Sequence, residues 1–201
     1  MILKPWQWCL VALLCLGLWL VRLEPTAPPA DLPPVTVEPV PQAPSQQRLG
    51  TNAKVPFENY QLSLLAEFAL DARILGREDY FMDRESDLAP WDFALGWGEM
   101  AVADIANQFS IRQSGRWYYW KSDRLPIPRR VVETSSANMH LIPADSRIRE
   151  KLEALSEGDR LRLKGFLVEA RADDGWRWRS SLTREDTGNG ACELVLVTEV
   201  N

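Results

Sequence analysis

The residues best suited to chemistry lie in the C-terminal half of the chain. His140 is its single histidine. A hydrolytic site would pair it with Ser180 or Ser181 as nucleophile and orient it with Asp186. An imidazole that accepts a hydroxyl proton needs a carboxylate on its other nitrogen. Cys192 is the alternative nucleophile. No G-x-S-x-G turn is present, and no local pattern surrounds the cysteine. Ser180-Ser181 read as part of a strand or its end. Cys192 opens an apolar strand, where a buried thiol is inert. His140 is therefore expected to be a packed or capping residue in "SSANMHLIPAD", and no residue is expected to be catalytic.

The triplet Asp186-Thr187-Gly188 has the letters of an aspartic-protease motif, but that chemistry needs two carboxylates sharing a proton, and no second copy occurs. Glu185 and Asp186 lack the ligand spacing of a calcium loop. Neither a metal nor another cofactor is expected. Binding is a better prospect than catalysis. If "RLRLKGFLVEA" and "GWRWR" pair as a hairpin, Arg160, Arg162, Lys164, Arg177 and Arg179 are expected on one outer face. Such a stripe would make a local positive field on a chain of net charge −5. Guanidinium forks suit phosphate and carboxylate, so the partners would be anionic lipid headgroups, an anionic envelope polymer or an acidic protein surface. Of "WYYW" at 117–120, two rings face the core and two are free to contact a ligand.

These residues must be positioned by strands. Phe68, Leu70, Ala72 and Ile74 alternate with polar or small residues, a period of two that predicts a strand over a competing helix propensity. "SDLAPWDFALGWGEM" reads as a short helix capped by Ser86 or Asp87, with Pro90 in its first turn. Residues 101–107 read as a second helical piece. Two strands flank Ser114-Gly115. "DRLPIPRRVVETSSANMHLIP" reads as irregular. A helix follows, capped by Asp145 or Ser146 and stopped at Gly158. Three strands end the chain, with a turn at Asp174-Gly175 and a bend at Gly165. Trp176 and Trp178 share the core face, and Arg177 and Arg179 the other. The fold class is α+β and mainly antiparallel β, a small OB- or SH3-like barrel with two or three short helices, preceded by one transmembrane helix.

Residues 5–21 carry no charge, and as a helix they span roughly 26 Å, close to a bilayer core. Trp6, Trp8 and Trp19 sit near the ends, where indoles favour the interface. No small-x-small cleavage site follows, so a retained anchor is expected over a cleaved signal peptide. Residues 25–44 contain eight prolines, which favour an extended spacer. The domain plan is an anchor at 1–23, a proline-rich disordered linker at 24–55 and a globular head at 56–201.

The stretches "ARILGREDY", "LAPWDFALGWGEM", "QSGRWYYW", "NMHLIPA", "GFLVEA" and "GWRWRSSLTREDTGNGACELV" resemble those of a bacterial family of proteins with a single N-terminal membrane segment. No activity is assigned to that family. The resemblance implies a bacterial source and a head anchored in the envelope, and carries over no site residues. The expected function is a non-enzymatic, membrane-tethered binding module in the bacterial inner membrane, single-pass, with its head in the periplasm. The alternatives are a hydrolase using His140 with Ser180, Ser181 or Cys192, and a nucleic-acid-binding OB-like module. Nucleic acid is the less expected partner, given the acidic balance.

Overall fold

A computed structural model describes residues 28–29, 31–50, 53–184 and 192–201. The expected anchor at 1–23 and the candidate Asp186 lie outside the described residues. Among those described, no helix is long and apolar enough to cross a membrane.

The head is α+β and dominated by antiparallel sheet. The longest element is β3, Tyr60–Asp79. Its Ala, Leu and Glu content favours helix, yet Ala66, Phe68, Leu70, Ala72 and Ile74 all point into one apolar core. Packing of alternate residues overrides intrinsic propensity here. β3 pairs along Gln61–Arg73 with β8 (Arg160–Arg171) and along Arg73–Asp79 with β4 (Trp91–Gly96). β4 pairs with β7 (Ser136–Pro143). β7 runs parallel to β10 (Glu193–Val200), and β10 pairs antiparallel with β8. Five strands therefore close on themselves in the order β3-β4-β7-β10-β8 and back to β3. Phe68, Phe93, Leu141, Leu163, Leu167 and Val195 are among the side chains that fill the enclosed core.

Two segments depart from the sequence reading. "LAPWDFALG" is not the start of a helix. Asp83 caps a single 3-10 turn at Arg84–Asp87 by accepting from the Ser86 amide, and the chain then enters β4. Trp91, Phe93 and Leu95 face the core while Asp92 and Ala94 face outward. Period two thus governs a stretch whose end signals suggest a helix. Likewise "PIPRRVVETSSANMHLIP" is regular from Arg129 onward: it supplies α2 (Arg129–Thr134) and β7. Its prolines lie before α2 and at the last residue of β7, where a missing amide does little harm. The other expected elements are present. α1 is Ala103–Ala106. β5 (Ser110–Ser114) and β6 (Trp117–Lys121) form a separate hairpin. α3, Ser146–Glu153, is capped by Asp145, whose carboxylate accepts from the Ile148 amide at 2.7 Å. β9 is Arg177–Arg179.

The folded head also takes in part of the stretch read as a disordered linker. β1 (Ser45–Arg48) pairs with β3, and β2 (Lys54–Phe57) pairs with its first residues. Ahead of β1 the proline-rich strap lies along the barrel. The Glu67 carboxylate accepts from the Thr36 amide and hydroxyl and from the Val37 amide at 2.7–3.1 Å. Burial opposes the Glu67 charge, but these donors outweigh it and hold the carboxyl below its ordinary range. Lys164 pairs with Glu38, and the Gly98 amide donates to the Pro41 carbonyl.

Candidate functional site

The outer face of β4 and β7 carries Asp92, Asn138 and His140, all buried. In the antiparallel register Asp92 lies directly across from His140. His140 Nδ1 is 2.6 Å from Asp92 Oδ1. Asn138 donates from Nδ2 to Asp92 Oδ2 at 3.0 Å and accepts from Gln113 at 2.7 Å.

Arg116 closes this network. It belongs to the β5–β6 turn, where Gly115 (φ +58°) and Arg116 (φ +69°) are the two central residues. Both are left-handed, as a two-residue hairpin turn whose twist matches its strands requires. For arginine that conformation costs roughly 1–2 kcal/mol. Its contacts explain why it is held there. One guanidinium nitrogen donates to Asp92 Oδ1 at 2.7 Å and to the Ala89 carbonyl at 2.9 Å. The other two donate to Asp83 at 2.8 and 2.9 Å. The guanidinium carbon lies 3.8 Å from the Tyr80 ring centroid, and the Arg116 amide donates to the Tyr80 hydroxyl. Burial works against the Arg116 charge, but Asp83 and Asp92 hold its pKa above the ordinary arginine value. The same pairing holds Asp83 below its ordinary value.

A second covering layer comes from β9. Trp178 packs against His140 with ring centroids 4.7 Å apart and planes tilted by 47°, Trp176 meets Trp178 at 6.2 Å, and Tyr60 meets Trp176 at 5.4 Å. The two tryptophans share one face of the hairpin and the two arginines the other, as the alternation predicts.

The hydrolase candidates are only partly assembled. Asp92, not Asp186, is the carboxylate seen to orient His140, and Asp186 is outside the described residues. His140 is 3% exposed. Ser180 Oγ donates to the Ser181 carbonyl at 2.7 Å and accepts from the Leu194 amide at 3.1 Å, so it ties β10 to the end of β9's strand. Ser181 Oγ donates to the Thr183 carbonyl. Cys192 Sγ lies 3.9 Å from the Arg116 carbonyl. None of these candidates lines the cavity of ≈ 300 Å³ bounded by Arg73, Leu75, Phe109, Ile111 and Gly158. Sequence reasoning missed Asp92 and Arg116. The available signal was an aspartate flanked by Trp91 and Phe93 at strand spacing.

No family model, no curated protein and no solved structure matches the chain.

The expected single stripe of five cations is divided between two faces. β8 alternates without interruption, so Arg160, Arg162 and Lys164 point outward from the barrel while Glu169 and Arg171 point to the other side. β9 pairs Arg177 with Arg171 and Arg179 with Glu169. Paired residues share a face, which places both β9 arginines opposite the first three cations. Asp71 takes Arg160 at 2.6 Å and Arg162 at 3.5 Å. Glu169 takes Arg171, Arg177 and Arg179 at 2.5–2.7 Å. Burial opposes the Glu169 charge, but the arginines pull its pKa down to about 2.

A pH dependence follows from Glu169. Its folded pKa lies below the ordinary glutamate value of 4.5, so the stability it adds is complete above roughly pH 4.5 and is lost as pH falls toward 2. Urea unfolding between pH 2 and 6 should show this limb, and Glu169→Gln should flatten it. An unchanged limb in the variant would assign the acid transition to other carboxylates.

Exposed side chains mark the remaining surface of interest. Phe81 and Met82 are 84% and 88% exposed in the β3–β4 loop. Arg116 braces that loop on both sides, through Tyr80 and Asp83. The same loop is joined to the β8–β9 turn by Arg84 and Asp174 at 2.7 Å. On β6, Trp117 and Tyr119 are exposed while Tyr118 and Trp120 pack inward.

Proposed function

We propose that this chain is a membrane-tethered binding module of the bacterial envelope, with a non-catalytic head of the OB type. Three features support the OB reading over an SH3-like one: the five-strand ring, the parallel pairing of its third and fifth strands (β7 and β10), and a helix, α3, between its third and fourth. The uncharged segment 5–21, and the resemblance of stretches in the head to bacterial membrane-anchored proteins, support the tether and the periplasmic head.

The observation that carries the binding reading is the braced Phe81–Met82 pair. OB barrels bind ligands through the loop between their first two strands and the loop between their last two. Here the first of these is joined to the turn that follows β8 by Arg84 and Asp174, and it presents two almost fully exposed apolar side chains. Exposing such residues on a held loop has an energetic cost that association with a partner relieves. A protein or envelope polymer fits better than nucleic acid. The outer β4–β7 face is covered by Arg116 and Trp178, which leaves no open platform there for stacked bases, and the chain is acidic. The hydrogen bonds of His140 and Ser180 support a structural role for both rather than the hydrolase alternative.

A photo-cross-linking residue placed at position 81 of the full chain in its native membrane should give a discrete adduct. The same residue at the exposed position 157 should not. Equal adduct patterns at the two positions would reject the loop as a binding surface. A reporter fused after Asn201 should read out on the periplasmic side, and a cytoplasmic signal would reject the proposed orientation.

A further inference from the structure

The geometry points to a phosphate-binding site on the guanidinium triad Arg171, Arg177 and Arg179, with Glu169 as the buried carboxylate that holds the three in place. This site lies on the opposite face of the β8–β9 hairpin from the tryptophans and is separate from the Phe81–Met82 loop. It deepens the binding-module reading by naming a ligand chemistry for a second surface.

The case begins with charge. Glu169 accepts from three guanidinium groups, from Arg171 on one oxygen and from Arg177 and Arg179 on the other. Three positive charges therefore surround one negative charge, an excess of two. The other described clusters are closer to balance. Asp71 holds two arginines, Arg84 and Asp174 are one to one, and Arg116 has two carboxylates. Holding like charges this close has a cost that a bound anion would offset.

Geometry and exposure agree with this. Each guanidinium has five N–H donors in a planar fork, and the bond to Glu169 engages one edge. The carboxylate is 5% exposed, whereas the three arginine side chains are 55%, 49% and 43% exposed. The shared carboxylate is buried while the three arginine side chains stay about half exposed, so each guanidinium keeps donors beyond the one given to Glu169. Cross-strand pairing fixes the spacing, since Arg171 faces Arg177 and Glu169 faces Arg179. The result is a preformed array of outward donors carrying a charge of +2. A phosphate dianion matches it in both charge and multiplicity of acceptor oxygens, where a single carboxylate would neutralise half of the excess.

Free phosphate and a phosphate borne on a polymer share this chemistry, and the test separates them. The full chain in detergent micelles is titrated with inorganic phosphate and, separately, with long-chain polyphosphate, against chloride at equal ionic strength. Saturable binding of either probe is expected, weakened about tenfold or more in Arg177→Gln/Arg179→Gln. Binding of inorganic phosphate assigns the free anion, and binding of polyphosphate alone assigns the polymer. If the double variant does not fold, Arg171→Gln at the strand end makes the same comparison. Binding no stronger than the chloride control, or unchanged in the arginine variants, would overturn the proposal. Either result leaves the position-81 adduct intact, so the two readings fail separately.

Discussion

Replacing Arg116 with methionine is expected to cost about 3–5 kcal/mol of folding stability, the usual penalty for removing one partner of a buried ion pair. Methionine keeps most of the side-chain length and the same left-handed backbone cost, so the loss isolates the guanidinium with its ion pairs, its bond to the Ala89 carbonyl and its contact with Tyr80. Two carboxylates then lack their cation. Asp92 is fully buried, and Asp83 keeps only the Ser86 amide of the contacts described for it. A second substitution, Asp92→Asn, should restore part of the loss in the Arg116→Met background while being harmful alone. Such non-additivity is the signature of a shared network. Urea unfolding of the four proteins measures it. A single-variant loss under about 1 kcal/mol would show that water satisfies the network and that the turn is merely decorative.

A second large effect is expected at Gly165. A Cβ built there would stand 2.0 Å from the Leu196 carbonyl oxygen. The obstacle is backbone on the neighbouring strand, so no rotamer change can relieve it. Gly165→Val should cost roughly 3 kcal/mol or more and leave little folded protein, because β8 must part from β10 at the point where the ring closes. Gly50 is the control, since a Cβ there would meet nothing within 4 Å; alanine at that position should change stability by less than about 0.5 kcal/mol. The sequence alone makes Gly165 a bend. The structure gives a stronger reason for it, the close approach of a partner strand.

Much of the fold is legible in the sequence because its signals are local. β8 alternates Leu161 and Leu163 with Arg160 and Arg162, and the structure sorts them accordingly. Asp145 caps α3 as its position predicts. The departures come where a local signal competes with a tertiary one. Pro90 and the acidic residues before it look like a helix start, yet Trp91, Phe93 and Leu95 are claimed by a core built from strands distant in sequence. The candidate site is less visible. Asp92 and His140 are 48 positions apart, and only the β4–β7 register brings them together. The division of the arginines is within reach of the sequence. A turn centred on Asp174 pairs Arg177 with Arg171 and Arg179 with Glu169, and odd positions on β8 cannot share a face with Arg160 and Arg162.

The strap that precedes β1 gives the head a mechanical property. Tension applied to the N-terminal arm meets the apolar packing of Leu32 and Val35 first, then the Thr36 and Val37 contacts on Glu67, then the Glu38 pair with Lys164, then the Pro41 contact at Gly98, and only then the rungs of β1 against β3. These attachments come in series, so they release one after another, and the load they pass to the closed ring of five strands is at each moment no more than one attachment can hold. The arm thus works as a peelable fastening that lengthens under strain before the barrel is put at risk.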